Sequence, residues 1–192
     1  MTKFVPVPRR RRMGLTNYRA RKKEISSRGI LLTVRLADKN VSAQFIKPNV
    51  SGDSVVSAIH SRVLRKLGWK GSLKNTPACY LLGLLAGKRA IEKGVKEAFL
   101  YTGVLPFVKG SRLAAFVKGV GDAGLKVPMS ESVFPDEKRL KGESIATYAS
   151  SLLKESKDEY TRRFSSLLKV GLKPEDYPAH YEKVKAAILG GK

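Results

Sequence analysis

In 192 residues, 42% of them apolar, there is material for one buried core, and 38 Lys and Arg against 16 Asp and Glu leave a net charge of +22, so the chain repels itself unless polyanions neutralise it. A single cysteine excludes a disulfide framework and any Cys-rich zinc module. No secretory signal and no apolar run near the ~20 residues of a membrane span are present, which predicts a soluble, cytoplasmic protein without a membrane partner.

The charge is uneven. Residues 1–120 hold 25 basic and 5 acidic residues, whereas residues 121–192 hold 13 and 11, so an anionic partner belongs against the first two-thirds of the chain. Residues 1–28 carry ten basic residues and Glu24 alone on the acidic side. Pro6 and Pro8 favour an extended arm, and Arg9, Arg10, Arg11 and Arg12 cannot sit adjacent in a core. Tyr18 interleaved with Arg19, Arg21, Lys22 and Lys23 suits a segment that crosses phosphates and stacks on bases, with a solvated tail as the alternative; Thr16 to Ile25 fits a short basic helix.

Residues 30–46 alternate with period two. Leu32, Val34, Leu36, Val41, Ala43 and Phe45 form one face, Thr33, Arg35, Ser42 and Gln44 the other, and the ADKN turn joins two antiparallel strands. The polar face is either hydrated or, with Arg35, Gln44 and the tip residues Lys39 and Asn40, a donor-and-acceptor platform for RNA beside the basic arm. Ser54 to His60 reads as a third strand, followed by the short basic helix SRVLRKLGW. His60 has no acidic or histidine neighbour and reads as a hydrogen-bonded strand end; Trp69, in a Gly-flanked loop, reads as a packing anchor, with base stacking as the alternative.

The stretch from Asn75 to Gly103 is the centre of the fold. Asn75 and Thr76 offer capping oxygens, Pro77 suits a first helical position and Gly94 a stop, giving one helix of about five turns. Leu81, Leu82, Leu84, Leu85 and Ile91 make it apolar over more than one stripe, while Gly83, Ala86, Gly87 and Ala90 admit a close backbone neighbour. Ala98 to Tyr101 reads as a short buried strand, and SRLAAFVKGVGDAG as a second amphipathic helix ending at Gly124. The prediction is an α/β (α+β) fold: a mixed or antiparallel sheet with two helices on one face, a basic extended arm (1–28), a core (29–128) and a helical extension (129–192). In the extension, stripes at Ile145/Tyr148/Leu152, Tyr160/Phe164/Leu167/Leu168 and Tyr181/Val184/Ile188 predict three helices.

Catalytic chemistry finds little support. GLLAGKRA is one residue short of a phosphate-binding loop, has Arg89 where a magnesium-binding hydroxyl belongs, and lies within a helix. His60 and His180 match no zinc spacing, and Cys79 is a core residue with no activating base. Asp38, Asp53 and Asp122 leave a metal-dependent nucleic-acid-processing enzyme as an alternative, and a general architectural DNA protein is another. No helix-turn-helix spacing, zinc finger or heptad favours DNA readout. Structured RNA is the best remaining class, with no catalytic residue, metal, cofactor or small-molecule substrate expected.

PVPRRRRMGLTNYRARKK, the strand pair around ADKNVSAQFI, SAIHS, GWKGSLKNTPACYLLGLLAGKRA and KGESIATY together resemble the archaeal and eukaryotic branch of the eighteenth large-subunit ribosomal protein family, at archaeal length. The resemblance covers nearly the whole chain in order. It implies binding of 5S rRNA by the arm and the polar sheet surface, with His60 and Ser61 added where SAIHS ends. It also implies attachment of 5S rRNA to the large-subunit rRNA in the central protuberance, and C-terminal helices that meet that rRNA or neighbouring ribosomal proteins.

Overall fold

The structure, a computed structural model, describes residues 5–104 and 106–190; residues 1–4 of the expected arm and 191–192 of the expected extension lie outside it. Arg9–Arg12 (α1) form one helical turn rather than extended chain. Pro8 holds the N-cap, and its carbonyl accepts the N–H groups of Arg11 and Arg12, both at 3.0 Å, while the four side chains stay in water, so the turn costs no desolvation. Tyr18–Ser27 (α2) begins two residues later than the charge pattern suggests, because Asn17 takes the cap: its side-chain oxygen accepts from Arg19 N and Ala20 N at 3.1 and 3.2 Å.

The alternating stretch forms the hairpin β1 (Leu31–Leu36) and β2 (Val41–Lys47), with Leu32 opposite Phe45 and Val34 opposite Ala43 on the buried face. Thr33 opposite Gln44 and Arg35 opposite Ser42 make the other face. Leu36, the last residue of its strand, is partly exposed. β3 (Ser54–His60) pairs antiparallel to β2, with a register shift after Phe45. After α3 (Val63–Lys66) and α4 (Thr76–Glu92) the chain returns as β4 (Phe99–Tyr101), parallel to β1, so the sheet order is β3-β2-β1-β4. As an edge strand β4 is not buried: Phe99 is 41% exposed, and only the adjoining Ala98 is fully covered.

α4 and α5 (Arg112–Asp122) cross in direct backbone contact. Gly83 lies under the carbonyl of Phe116 and Gly119 under that of Tyr80, so each helix uses a glycine to admit the other. Asn75 and Ser111 cap the two helices through Ala78 N at 3.1 Å and Ala114 N at 3.3 Å. Cys79 is buried in α4 and its thiol is pushed up to about 12 by desolvation, which suits a small core residue and not a nucleophile.

The C-terminal part is more finely divided than three helices: α6 (Glu137–Lys141), α7 (Glu143–Glu155), α8 (Lys157–Arg163), α9 (Ser165–Lys169) and α10 (Tyr177–Leu189). The second stripe breaks at Phe164, which lets Phe164 and Leu168 pack with Ala149, Leu152 and Tyr160 while Leu167 turns to the main core. α10 joins that main core through Tyr177, Tyr181, Val184 and Ile188, and Lys88 Nζ donates to the terminal carbonyls of Ile188 and Leu189 at 2.7 and 2.8 Å.

α10 also clamps the loop after α3. Trp69, 2% exposed, is stacked on His180 at 5.1 Å and meets the edge of Tyr177 at 5.4 Å, so it is a packing anchor and closed to bases. His180 Nε2 accepts the N–H of Lys70 at 3.0 Å. Burial, and then the cations of Lys70 and Lys183, hold its pKa below the ordinary 6.5. Because the unfolded chain binds that proton first, the clamp contributes stability above pH 6.5 that is lost as pH falls through the folded value. Thermal unfolding between pH 7 and pH 5 is expected to show a smaller fall in Tm for His180→Gln, which keeps an acceptor and cannot titrate, than for the wild type; equal falls would exclude His180 as the titrating clamp.

Candidate nucleic-acid interface

The Asn17 cap and the left-handed conformation of Arg28 (φ 52°) set where α2 starts and where the chain turns into β1. α2 then lies back across the polar face of the sheet. Its anchor is Arg21, whose guanidinium donates to Asp53 at the head of β3 and lies 3.8 Å from Glu24. The Asp53 hydrogen bond raises the pKa of Arg21, and burial raises that of Glu24, one of whose carboxylate oxygens is buried without a hydrogen-bond partner.

Between arm and sheet runs a groove of about 410 Å³. Arg10, Tyr18 and Arg21 line it from the arm, and Thr33, Arg35 and Gln44 from the sheet. Arg10 is itself oriented, its Nε donating to Thr16 Oγ1 at 2.8 Å. Arg9, Arg11, Arg12, Arg19, Lys22 and Lys23 are exposed and project from the same arm without lining the groove. The groove therefore offers cationic donors, a neutral amide and an exposed aromatic ring, a set that can meet phosphates and an unstacked base.

The remaining predicted residues lie at the opposite end of the strands. Six to seven residues of strand at ~3.3 Å each separate Asp53 from the hairpin tip by roughly 20 Å. There Lys39 and Asn40 border a second cleft of about 1090 Å³, whose other basic residues are Arg62, Arg65, Lys70 and Lys74. Ser61 is 0% exposed; its hydroxyl accepts the N–H of Val41 at 3.1 Å and donates to Asn40 Oδ1 at 3.4 Å. It ties the hairpin to the end of β3 and so positions Asn40. His60 is half-buried at the strand end, as its sequence setting suggested, and its Nδ1 accepts the N–H of Arg62 at 3.2 Å.

Thus Arg10, Tyr18, Arg21, Arg35 and Gln44 come together, while Lys39, Asn40 and His60 do not join them. Sequence reasoning missed Asp53 as the arm's anchor and the second group of cations. The basic run SRVLRKLGWKGSLK was visible, but only the β2–β3 register sets it beside the ADKN turn. The three aspartates of the enzymatic alternative are spent separately: Asp53 on Arg21, Asp122 on the Tyr80 hydroxyl at 2.6 Å, and Asp38 in the hairpin turn. Among the described residues no three His, Cys, Asp or Glu side chains converge as a metal site, and no helix is long and apolar enough to cross a membrane.

Comparison with known proteins bears on what these surfaces serve. Residues 2–101 match the family described as ribosomal large subunit proteins 60S L5 and 50S L18. The chain is 46% identical to the large ribosomal subunit protein uL18 of Methanothermobacter thermautotrophicus over 94% of its own length and 92% of that protein. It is 47% identical to the uL18 of Thermofilum pendens over 94% and 92%, and 48% identical to that of Ignicoccus hospitalis over 95% and 90%.

Proposed function

We propose, from the premise that this chain belongs to the family of ribosomal large subunit proteins 60S L5 and 50S L18, that within the large subunit it binds 5S rRNA and helps attach it to the large-subunit rRNA in the central protuberance. The chain is a structural ribosomal protein and not an enzyme. The observation that carries the reading is the groove in which Arg10, Tyr18 and Arg21 of the arm meet Thr33, Arg35 and Gln44 of the sheet on a chain of net charge +22. In this reading residues 1–28 are an RNA-binding arm, residues 29–128 supply the platform, and residues 129–192 meet rRNA or neighbouring proteins of the protuberance.

The mechanism is assembly by charge replacement and shape. Exposed Arg9, Arg11, Arg12, Arg19, Lys22 and Lys23 displace counterions along phosphates, and this sets affinity and its salt dependence. Phosphates carry no sequence, so discrimination falls to Tyr18 and Gln44 inside the groove and to Asn40 and Lys39 at the hairpin tip. The protein is to be titrated against 5S rRNA, an unrelated structured RNA of equal length and duplex DNA, each at two salt concentrations. A preference for 5S rRNA that survives the higher salt is expected. Equal binding of all three, weakening together, would reduce the protein to a general polycation and overturn the reading.

A further inference from the structure

The second cleft is not explained by the arm and its groove. Five cations, Lys39, Arg62, Arg65, Lys70 and Lys74, surround it, against Asp38 as the acidic lining residue. Among the described residues none of the five forms an ion pair, in contrast with Arg21, which the protein neutralises itself. The lining that the C-terminal helices contribute is mainly apolar: Ile145 of α7, and Phe164, Leu167 and Val170 in and around α9, with Ser166 among them. At about 1090 Å³ the cleft is at or beyond the ~300–1,000 Å³ of small-ligand pockets.

Its basic wall is also held in place. Trp69 Nε1 donates to Ser72 O at 3.0 Å, Lys70 N to His180 Nε2 at 3.0 Å and Asn75 Nδ2 to the Tyr177 hydroxyl at 2.5 Å, so the loop carrying Lys70 and Lys74 is ordered before any ligand arrives. A ligand for this cleft must present several negative charges to its cations and apolar surface to Phe164 and its aliphatic neighbours. Double-stranded nucleic acid offers phosphates but hides its base faces. An unpaired strand offers both.

We propose that this cleft is a second RNA site that holds an unpaired strand, phosphates toward Arg62, Arg65 and Lys70 and bases toward Phe164 and its neighbours. The proposal rests on the RNA-binding function inferred above. It adds where a second RNA segment is held, at the hairpin-tip end of the sheet, and that this segment is unpaired.

The test uses the full chain and a short labelled polyuridine, followed by anisotropy and by the emission of the chain's one tryptophan, Trp69, which adjoins Lys70 and packs on Tyr177 at the cleft. The variant Arg62→Gln/Arg65→Gln/Lys70→Gln is compared with Lys96→Gln/Lys109→Gln/Lys154→Gln, which removes the same charge from residues lining neither concavity. The first variant is expected to lose roughly tenfold or more in affinity, with its salt slope reduced by about 2, and to abolish a Trp69 emission change that the charge-matched variant retains. Equal affinity in the two variants, or a Trp69 response to an acidic helical peptide and none to polyuridine, would overturn the proposal, the latter in favour of a protein partner. Preferential 5S rRNA binding measured on the same samples separates the outcomes: if it persists while the cleft variant binds polyuridine normally, the cleft proposal alone fails.

Discussion

Gly83→Ala is expected to lower Tm by roughly 6–12 °C, the equivalent of about 3 kcal/mol in a chain of this size. A Cβ on Gly83 would stand 2.1 Å from the carbonyl oxygen of Phe116, and the obstructing atom is backbone inside a helix, so no rotamer change relieves it. The helices must part, and the buried side chains that meet between them, Phe116 and Leu84 among them, lose contact. The gain of ~1 kcal/mol in helix propensity that Ala brings over Gly offsets only part of this. Gly119→Ala meets the carbonyl of Tyr80 at 2.2 Å and should behave alike. The double variant should cost less than the sum, because helices already parted by one methyl have room for the second. Gly121→Ala is the control: it lies in the same α5 with nothing within 4 Å, and should be neutral or slightly stabilising. A Gly83→Ala protein that melts with the wild type would mean that the two helices do not cross through these glycines.

Replacing Arg9, Arg10, Arg11 and Arg12 together by alanine is expected to weaken 5S rRNA binding by on the order of 10–100-fold and to cut the salt slope by about 3, while Tm is unchanged. The four side chains are exposed and bury nothing, and alanine sustains the single helical turn, so the domain has no reason to unfold. Arg21 is deliberately left in place. It is the anchor of α2 on Asp53, and its loss would confound removal of a phosphate contact with release of the whole arm. Filter binding or calorimetry at several salt concentrations gives both numbers. An unchanged slope in a folded variant would remove α1 from the RNA contact.

How far these features could be read in advance depends on the range of the interaction that fixes each. The hairpin and α4 were legible because their signals are local: Leu32, Val34, Val41, Ala43 and Phe45 alternate, and Asn75, Pro77 and Gly94 punctuate the helix where the structure starts and stops it. The small residues of α4 announced a close neighbour, and α5 is that neighbour. The docking of the arm was not legible. It turns on one ion pair between residues 21 and 53, each of which alone reads as a solvated charge in a loop or a basic helix. The second cleft was hidden for a related reason, since its cations come from a hairpin tip, a short helix and a loop that only strand pairing brings together. In the C-terminal part the stripe from Tyr160 to Leu168 has helical spacing throughout, and nothing local marks the break at Phe164; two apolar clusters competing for neighbouring side chains impose it.

The clamp of α10 on Trp69 has a consequence for the order of events during synthesis. Tyr177 and His180 follow Trp69 by more than a hundred residues, so at ~5–20 residues per second the sheet, α4 and the Trp69 loop exist for roughly 5–20 s before the helix that covers them has been made. For that interval the nascent chain shows solvent the aromatic and aliphatic surface that later meets Tyr177, Tyr181, Val184 and Ile188, beside Arg62, Arg65, Lys70 and Lys74. The newborn protein is thus at once sticky and strongly cationic until its last helix closes the core.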